Sequence, residues 1–471
     1  MSASHIDPLL GSVREIASAV HEGELTARDL AILALDAVDA LNPKINAFTD
    51  VLAERVLAEA DALDERYDKG EDLPPLSGVP YGAKNLFDIA GLPTLAGSKI
   101  NADHPPAAHD ATLIARLQQA GGLLVGALHM GEYAYDFTGE NAHDGNCRNP
   151  HNTAHMTGGS SSGSGAAVAA AMLPFALGTD TNGSIRVPSS FCGLFGLKPT
   201  FGRLSRAGTF PLAPSLDHVG PLARSVGDLA YVYDACRGYD PRDPANIEMP
   251  SPALTPEIEK GIDGLRVAVA GGWFRKNGFP EAYAATDLVA KALGADQEVE
   301  IPEAGRARAA AYVITAAEAG SFHLDRLRTR AEDFDPDTRD RLLSGAMLPA
   351  AWLDQAQRFR SWYREKVARL FEAVDLIIAP ATPCHAPKIG QKTFVLDGVK
   401  LPTRPNIGIY TQPISFIGLP VVAVPLWLQG ARLPIGVQII AAPWREDLAL
   451  RAARVLEANG VAKAPTALIA G

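Results

Sequence analysis

The chain has 471 residues, 47% of them hydrophobic and 21% charged, the composition of a globular protein with a sizeable core. Its net charge of −11, from 43 basic and 54 acidic residues, and the lack of a basic run argue against a partner held by phosphate electrostatics, so no nucleic acid is expected. Four scattered cysteines (Cys147, Cys192, Cys236, Cys384) without a C-x-x-C point to reduced thiols in a cytoplasmic protein, not to a disulfide framework or zinc site.

The first residues, MSASHIDPLL, lack a basic segment followed by an apolar one, so no secretory signal is expected. No apolar run is long enough to span a bilayer, and no membrane partner is expected. Residues 10–65 read as helical. Thr26 with Asp29 three residues on forms a capping-box pattern, and Leu30, Leu33, Leu35, Val38 and Leu41 follow near helical spacing. Asn42-Pro43 is expected to end that helix, and a second runs from about Thr49 to Tyr67. Pro74-Pro75 closes this N-terminal helical layer, residues 1–75, which is expected to pack on the core formed by 76–471 in one structural unit.

Gly78 to Lys84 reads as a short strand punctuated by Gly and Pro, with Lys84 as its one charge. The ordinary reading of such a lysine is a buried stem with its ammonium in water. Residues 111–128 read as helix, Gly-Gly, strand, which implies βαβ units and a largely parallel sheet in an α/β protein. The irregular polar stretch 129–152 is suited to lining a cleft, and Tyr133 and Tyr135 are its candidate substrate contacts.

Gly158 to Gly165, GGSSSGSG, runs directly into the helix-forming Ala166–Met172. A short apolar strand at 175–178 and a second polar turn, Thr179 to Ser184, come next. Two Ser-bearing turns thus bracket one helix and one strand. Further on, 202–208 and 215–221 read as loops and 225–235 as a helix. Strands are expected at 265–270, 376–381, 419–425 and 435–440, with helices through most of 305–372 and at 447–459.

The Gly-Ser turn is not a P-loop, because no Lys follows the glycines, and it is not G-x-G-x-x-G after a clear strand. A Ser nucleophile needs a base, yet G-x-S-x-G is absent, and His143, His151, His155 and His218 are loop residues without an acidic partner motif. The remaining base is Lys84. A buried lysine can be neutral at working pH because desolvation disfavours the ammonium. That permits a Ser–Ser–Lys relay: Lys84 as base, Ser160 or a neighbour as bridge, and Ser184 as nucleophile, with backbone N–H groups of the 181–184 turn as oxyanion hole.

GGSSSGSG…DTNGSIRVPSSFCGLFGLKPT, with Gly78–Lys84 upstream, resembles the amidase signature family, and the resemblance extends along nearly the whole chain. It implies a single large α/β/α sandwich with a mixed, largely parallel central sheet covered by helices. It also implies a catalytic Lys84, a bridging Ser160 held in a cis peptide, and an acylated Ser184. Thr181, Asn182, Gly183 and Ser184 match the oxyanion loop, and Ser161, Asp180 and Arg186 match residues that order the two turns. Three positions depart from the family: Asn85 where Asp is common, Ser162 where Gly is usual, and Asn182 where Gly is frequent. The last sets a side-chain amide beside the oxyanion site.

Within the family the wording is most similar to the 1-carboxybiuret hydrolases of cyanuric-acid breakdown, which implies release of ammonia from a small carboxylated urea derivative. A carboxylate wants a cation, and Arg404 in the loop 403–406 is the candidate; an ordinary solvated arginine is the alternative. The resemblance further implies a small helical accessory subunit; a homodimer is a separate expectation, and with no metal-ligand cluster in the sequence no metal and no cofactor are expected. Two rival readings are the glutamine-hydrolysing subunit of a tRNA amidotransferase and a non-catalytic scaffold that kept the fold.

Overall fold

The computed structural model describes residues 8–467 and 469. Residues 1–7, most of the stretch read for a secretory signal, lie outside it. Eleven strands form one sheet: β1 (Phe48–Val51), β2 (Pro80–Lys84), β3 (Leu123–Leu128), β4 (Phe175–Thr179), β5 (Phe195–Lys198), β6 (Val219–Ala223), β7 (Val267–Ala270), β8 (Gln297–Val299), β9 (Leu376–Pro380), β10 (Val421–Leu426) and β11 (Ile435–Ala441). Their spatial order is β1-β3-β2-β4-β6-β5-β10-β11-β9-β7-β8.

Apolar side chains leave this sheet on both faces. Along β3, Leu123, Val125 and Leu128 join one buried cluster and Leu124 and Ala127 the other: alternate residues of a strand point to opposite faces, and a one-residue register shift against β2 between Leu124 and Gly126 resets the alternation. The first cluster is closed by Ala31, Ala34 and Val38 of the helix Ala27–Ile45 and by Val56 and Ala60 of the helix Ala53–Asp68. The second is closed by Leu229 and Val232 of Val226–Cys236 and by Leu448 and Ala452 of Glu446–Ala458. This is the expected sandwich. Among the described residues no helix is long and apolar enough to cross a membrane.

The sheet is mixed, but it is not largely parallel. The pairs β2–β3, β2–β4, β7–β9 and β7–β8 are parallel. The pairs β1–β3, β4–β6, β5–β6, β5–β10, β10–β11 and β9–β11 are antiparallel. The βαβ pattern of 111–128 holds for the first parallel block and does not propagate. The link 427–434 between β10 and β11 is too short for a crossover helix and permits only the antiparallel return.

Three local expectations also change. The second helix starts at Ala53, because Phe48–Val51 pairs with β3 as an edge strand. Pro43 lies inside the helix Ala27–Ile45; the stop falls at Asn46, which takes the left-handed conformation. The stretch 215–221, read as loop, contains the start of β6. Pro221 there is registered against Leu177 of β4 alone, which spares it from donating to a second neighbour.

Candidate active site

Every residue from Met156 to Thr200 is buried. The segment threads the middle of the sheet as turn, helix Ser162–Ala169, strand β4, turn, helix Arg186–Cys192 and strand β5. Its first turn sits tight against the 136–139 loop. A Cβ at Gly159 would lie 2.5 Å from the Asp136 carboxylate, so only glycine fits this approach. The Gly159–Ser160 peptide is cis, as the resemblance implies for the bridging serine.

Strand β2 lies between β3 and β4 and ends at Lys84. The side chain is fully buried, which excludes the reading of a head in water. Its Nζ donates to Ser160 Oγ at 2.6 Å and to Thr179 Oγ1, at the end of β4, at 2.8 Å. Burial lowers its pKa to about 7, against a smaller opposite pull from the carboxylates of Asp217, Asp180 and Asp136. No carboxylate lies within ion-pair distance of it among the described residues, so nothing locks the ammonium form.

The second turn is held from below. Asp180 receives a two-pronged contact from Arg186, 2.9 Å to each oxygen, plus the Ser415 hydroxyl at 3.1 Å and the Ile185 N–H at 3.2 Å. Burial alone pushes the Asp180 carboxyl up, but the Arg186 guanidinium outweighs it and holds the group well below the usual carboxylate range. Arg186 also donates to Gln438 Oε1 at 2.5 Å and to the Thr411 carbonyl at 3.2 Å. The Ser161 hydroxyl ties the two turns together by donating to the Thr179 carbonyl at 3.2 Å. Asp180, Arg186 and Ser161 thus all bond within or between the two turns.

Above this scaffold, the backbone N–H groups of Thr181, Asn182, Gly183 and Ser184 find no acceptor among the described residues. Four unengaged donors in one buried turn are what an anion-binding concavity requires. Gly183 has φ 146°, and a Cβ there would lie 2.4 Å from Thr411 Oγ1. Thr411 has no freedom to move away, since its hydroxyl is bonded to the carbonyls of Asn182 at 2.6 Å and Gly408 at 3.1 Å. The Thr181 hydroxyl is anchored on Asp217 at 2.6 Å.

Ser184 opens onto a narrow cavity of about 20 Å³ lined also by Thr181, Asn182, Tyr135, Phe137, Leu212, Tyr312, Arg341 and Gln412. A wider depression of about 560 Å³ around His104–Asp110 contains none of the three candidate catalytic residues.

Tyr135 reaches the cavity wall, but Tyr133 does not. Its ring packs against His323 at 4.0 Å and Phe210 at 5.3 Å between centroids, and its hydroxyl binds Asn101 at 3.1 Å, so it is a core residue. Arg404 lies in a short helix, Thr403–Ile407, and not in a loop. Three carboxylates already surround it: Asp337 at 3.2 Å, Asp136 at 3.3 Å and Glu140 at 3.7 Å. Its charge is spent within the protein, so it is not the free cation expected for a substrate carboxylate.

Arg341 of the helix Pro336–Ala346 has that property instead. Its guanidinium stacks 4.1 Å from the Tyr135 ring centroid and donates to the carbonyls of Asp337 and Tyr135, and no carboxylate pairs with it among the described residues. Sequence reasoning missed Arg341, Thr179, Asp217 and Gln412. Thr179 alone had a signal, standing at the junction of the apolar strand and the polar turn; the other three are brought in by chain folding from distant segments.

A family model described as amidase matches residues 29–450. AtzE of Pseudomonas sp. (strain ADP), which forms part of a 1-carboxybiuret hydrolase, is 54% identical, over 95% of this chain and 98% of its own. A glutamyl-tRNA(Gln) amidotransferase chain of Geobacter metallireducens is 36% identical over 95% and 96%. Among solved structures, one described as a vestigial protein complex that reveals the origins of an s-triazine catabolic enzyme superposes with a TM-score of 0.95. It is 54% identical and covers 96% of this chain and 99% of its own. A crystal structure of an amidase gives 0.86 at 31% identity, over 95% and 100%. With this match along the chain, the buried lysine–serine contact and the unengaged turn beside Ser184, the chain belongs to the amidase signature family and is an amidohydrolase.

Proposed function

We propose that this amidase hydrolyses a terminal C–N bond of a small carboxylated urea derivative, of the 1-carboxybiuret kind, through an acyl-enzyme on Ser184. One observation carries the catalytic half: Lys84 Nζ, shielded from water, lies 2.6 Å from Ser160 Oγ, while the turn that carries Ser184 has four unengaged N–H groups. Ser184 Oγ attacks the amide carbon and its proton passes to Ser160, whose own proton passes to neutral Lys84. The oxyanion forms against the 181–184 turn. Collapse breaks the C–N bond, and the relay returns the proton to the departing ammonia. Water then enters, gives its proton to the same relay and releases the acid from Ser184.

Arg341 supports the carboxylated half of the reading, because it is a cation on the cavity wall with donor capacity to spare. Arg341→Ala is expected to raise KM for carboxylated amides by roughly 10- to 150-fold, the worth of a charged hydrogen bond, and to leave uncharged amides little changed. Steady-state ammonia release from matched pairs checks it. Gly183→Ala is expected to cut kcat by at least about 100-fold, the loss typical of a damaged oxyanion site, because the added carbon displaces the loop from Thr411. Single-turnover kinetics with a thermal melt alongside separates this from unfolding.

A panel of ureido acids, malonamic-type acids, aliphatic amides and glutamine, assayed for ammonia, tests the substrate class. Glutamine as the preferred substrate, with a rate that rises on adding an amidotransferase partner, favours the second reading that the 36% identical relative supports. A homodimer, a cytoplasmic site and a small helical accessory subunit complete the proposal. The similar structure's description as a complex supports a partner chain. Light scattering of the protein purified with and without such a chain tests both assemblies.

A further inference from the structure

Asn182 stands two residues before Ser184 and lines the same cavity. Its Nδ2 donates to Thr315 Oγ1 at 2.9 Å. The Thr315 hydroxyl in turn donates to the Ala311 carbonyl one helical turn back, at 2.8 Å. A hydroxyl has one proton, and a carbonyl can only accept, so Thr315 Oγ1 can only accept from Asn182. That fixes the amide: NH₂ toward the helix Ala304–Phe322, Oδ1 away from it. Asn182 is 7% exposed, and its Oδ1 has no hydrogen-bond partner. A buried acceptor left unpaired forfeits its hydration without replacement, so its place beside a nucleophile points to a ligand that satisfies it.

The chemistry of the scissile carbon says which ligand atom that is. Its oxygen goes to the N–H groups of the turn. Its departing nitrogen must receive a proton, and therefore faces the Lys84–Ser160 relay and not an acceptor. One substituent is left. We infer that Asn182 Oδ1 accepts an N–H borne on the retained side of the scissile carbonyl, and so selects ureido substrates, R–NH–CO–NH₂, over amides with carbon at that position. This rests on the proposed reading above and deepens it, since it names the group by which a urea derivative is told from a simple amide. A site built to bind an N–H disfavours an analogue lacking it, because the acceptor stays buried and unpaired.

Two carboxylated probes isolate the contact: carbamoylglycine, with the N–H, and succinamate, with CH₂ in its place. Each is assayed for its ability to protect Ser184 from a fluorophosphonate, which reads binding whether or not the probe turns over. In the parent protein carbamoylglycine is expected to protect at a concentration at least about tenfold lower than succinamate. Asn182→Ala should bring the two within about threefold of each other. Thr315→Val, which removes the anchor and lets the amide turn over, should lower the preference partway without touching the turn. Comparing the two probes on each variant cancels any general loss from disturbing the loop, and a thermal melt verifies folding. A preference unchanged in folded Asn182→Ala, or absent in the parent, overturns this inference and leaves the carboxylated-amide reading standing. Labelling of Ser184 that neither probe slows overturns that reading itself.

Discussion

Ser184→Ala is expected to lower amide hydrolysis by roughly 10³- to 10⁶-fold, the range seen when a covalent nucleophile is removed while binding and the oxyanion site remain. The fold should not notice. Ser184 Oγ has no hydrogen-bond partner among the described residues, so deleting it strands no buried group. The turn that carries it is held by other atoms, chiefly the Asp180–Arg186 pair and the Thr411 hydroxyl. A large drop in ammonia release with an unmoved melting temperature is therefore the expected combination. It should come with complete loss of fluorophosphonate labelling. Ammonia release within tenfold of the parent would assign the nucleophile elsewhere on the cavity wall, and labelling that never occurs in folded parent protein would revive the scaffold reading.

The parts of this site that could be read from the sequence are those that lie close together along it. Ser160, Ser161, Asp180 to Ser184 and Arg186 fall within one buried segment whose turns and short elements are spelled by Gly, Ser and Asn at fixed offsets. Lys84 was legible because a lone charge in a Gly- and Pro-punctuated apolar strand is unusual. The sheet was legible in its strands but not in its directions, since pairing depends on where each connection returns. The substrate wall was least legible. Tyr133 and Tyr135 are two residues apart, yet Tyr133 and Ala134 have φ of 50° and 59°, and that bend sends one ring into the core and leaves the other on the cavity. Arg404 and Arg341 look alike as sequence. Only the folded chain puts Asp136, Glu140 and Asp337 around the first and an aromatic ring beneath the second.

Activity should rise with pH through about 7 and then level, because the relay needs Lys84 as the free amine and burial sets its pKa near that value. The same burial has a cost in stability, with a definite sign. In the unfolded chain the amine keeps its ordinary value of 10.5, so between pH 7 and 10.5 the unfolded state holds a proton that the folded state has lost. Stability contributed by this group therefore increases with pH across that window. Below pH 7 the folded protein must bury an ammonium, and the gap between the two values corresponds to a penalty of about 5 kcal/mol. Lys84→Met removes the titrating group, at the loss of its hydrogen bonds to Ser160 and Thr179. The variant is expected to be inactive yet more resistant to denaturant than the parent at pH 6, with the difference shrinking steadily toward pH 10. Urea unfolding of both proteins across that range measures it. A difference that stays flat with pH, or an activity profile that falls as pH rises through 7, would mean that the buried amine is charged in the working enzyme, and a charged amine cannot take the proton from Ser160.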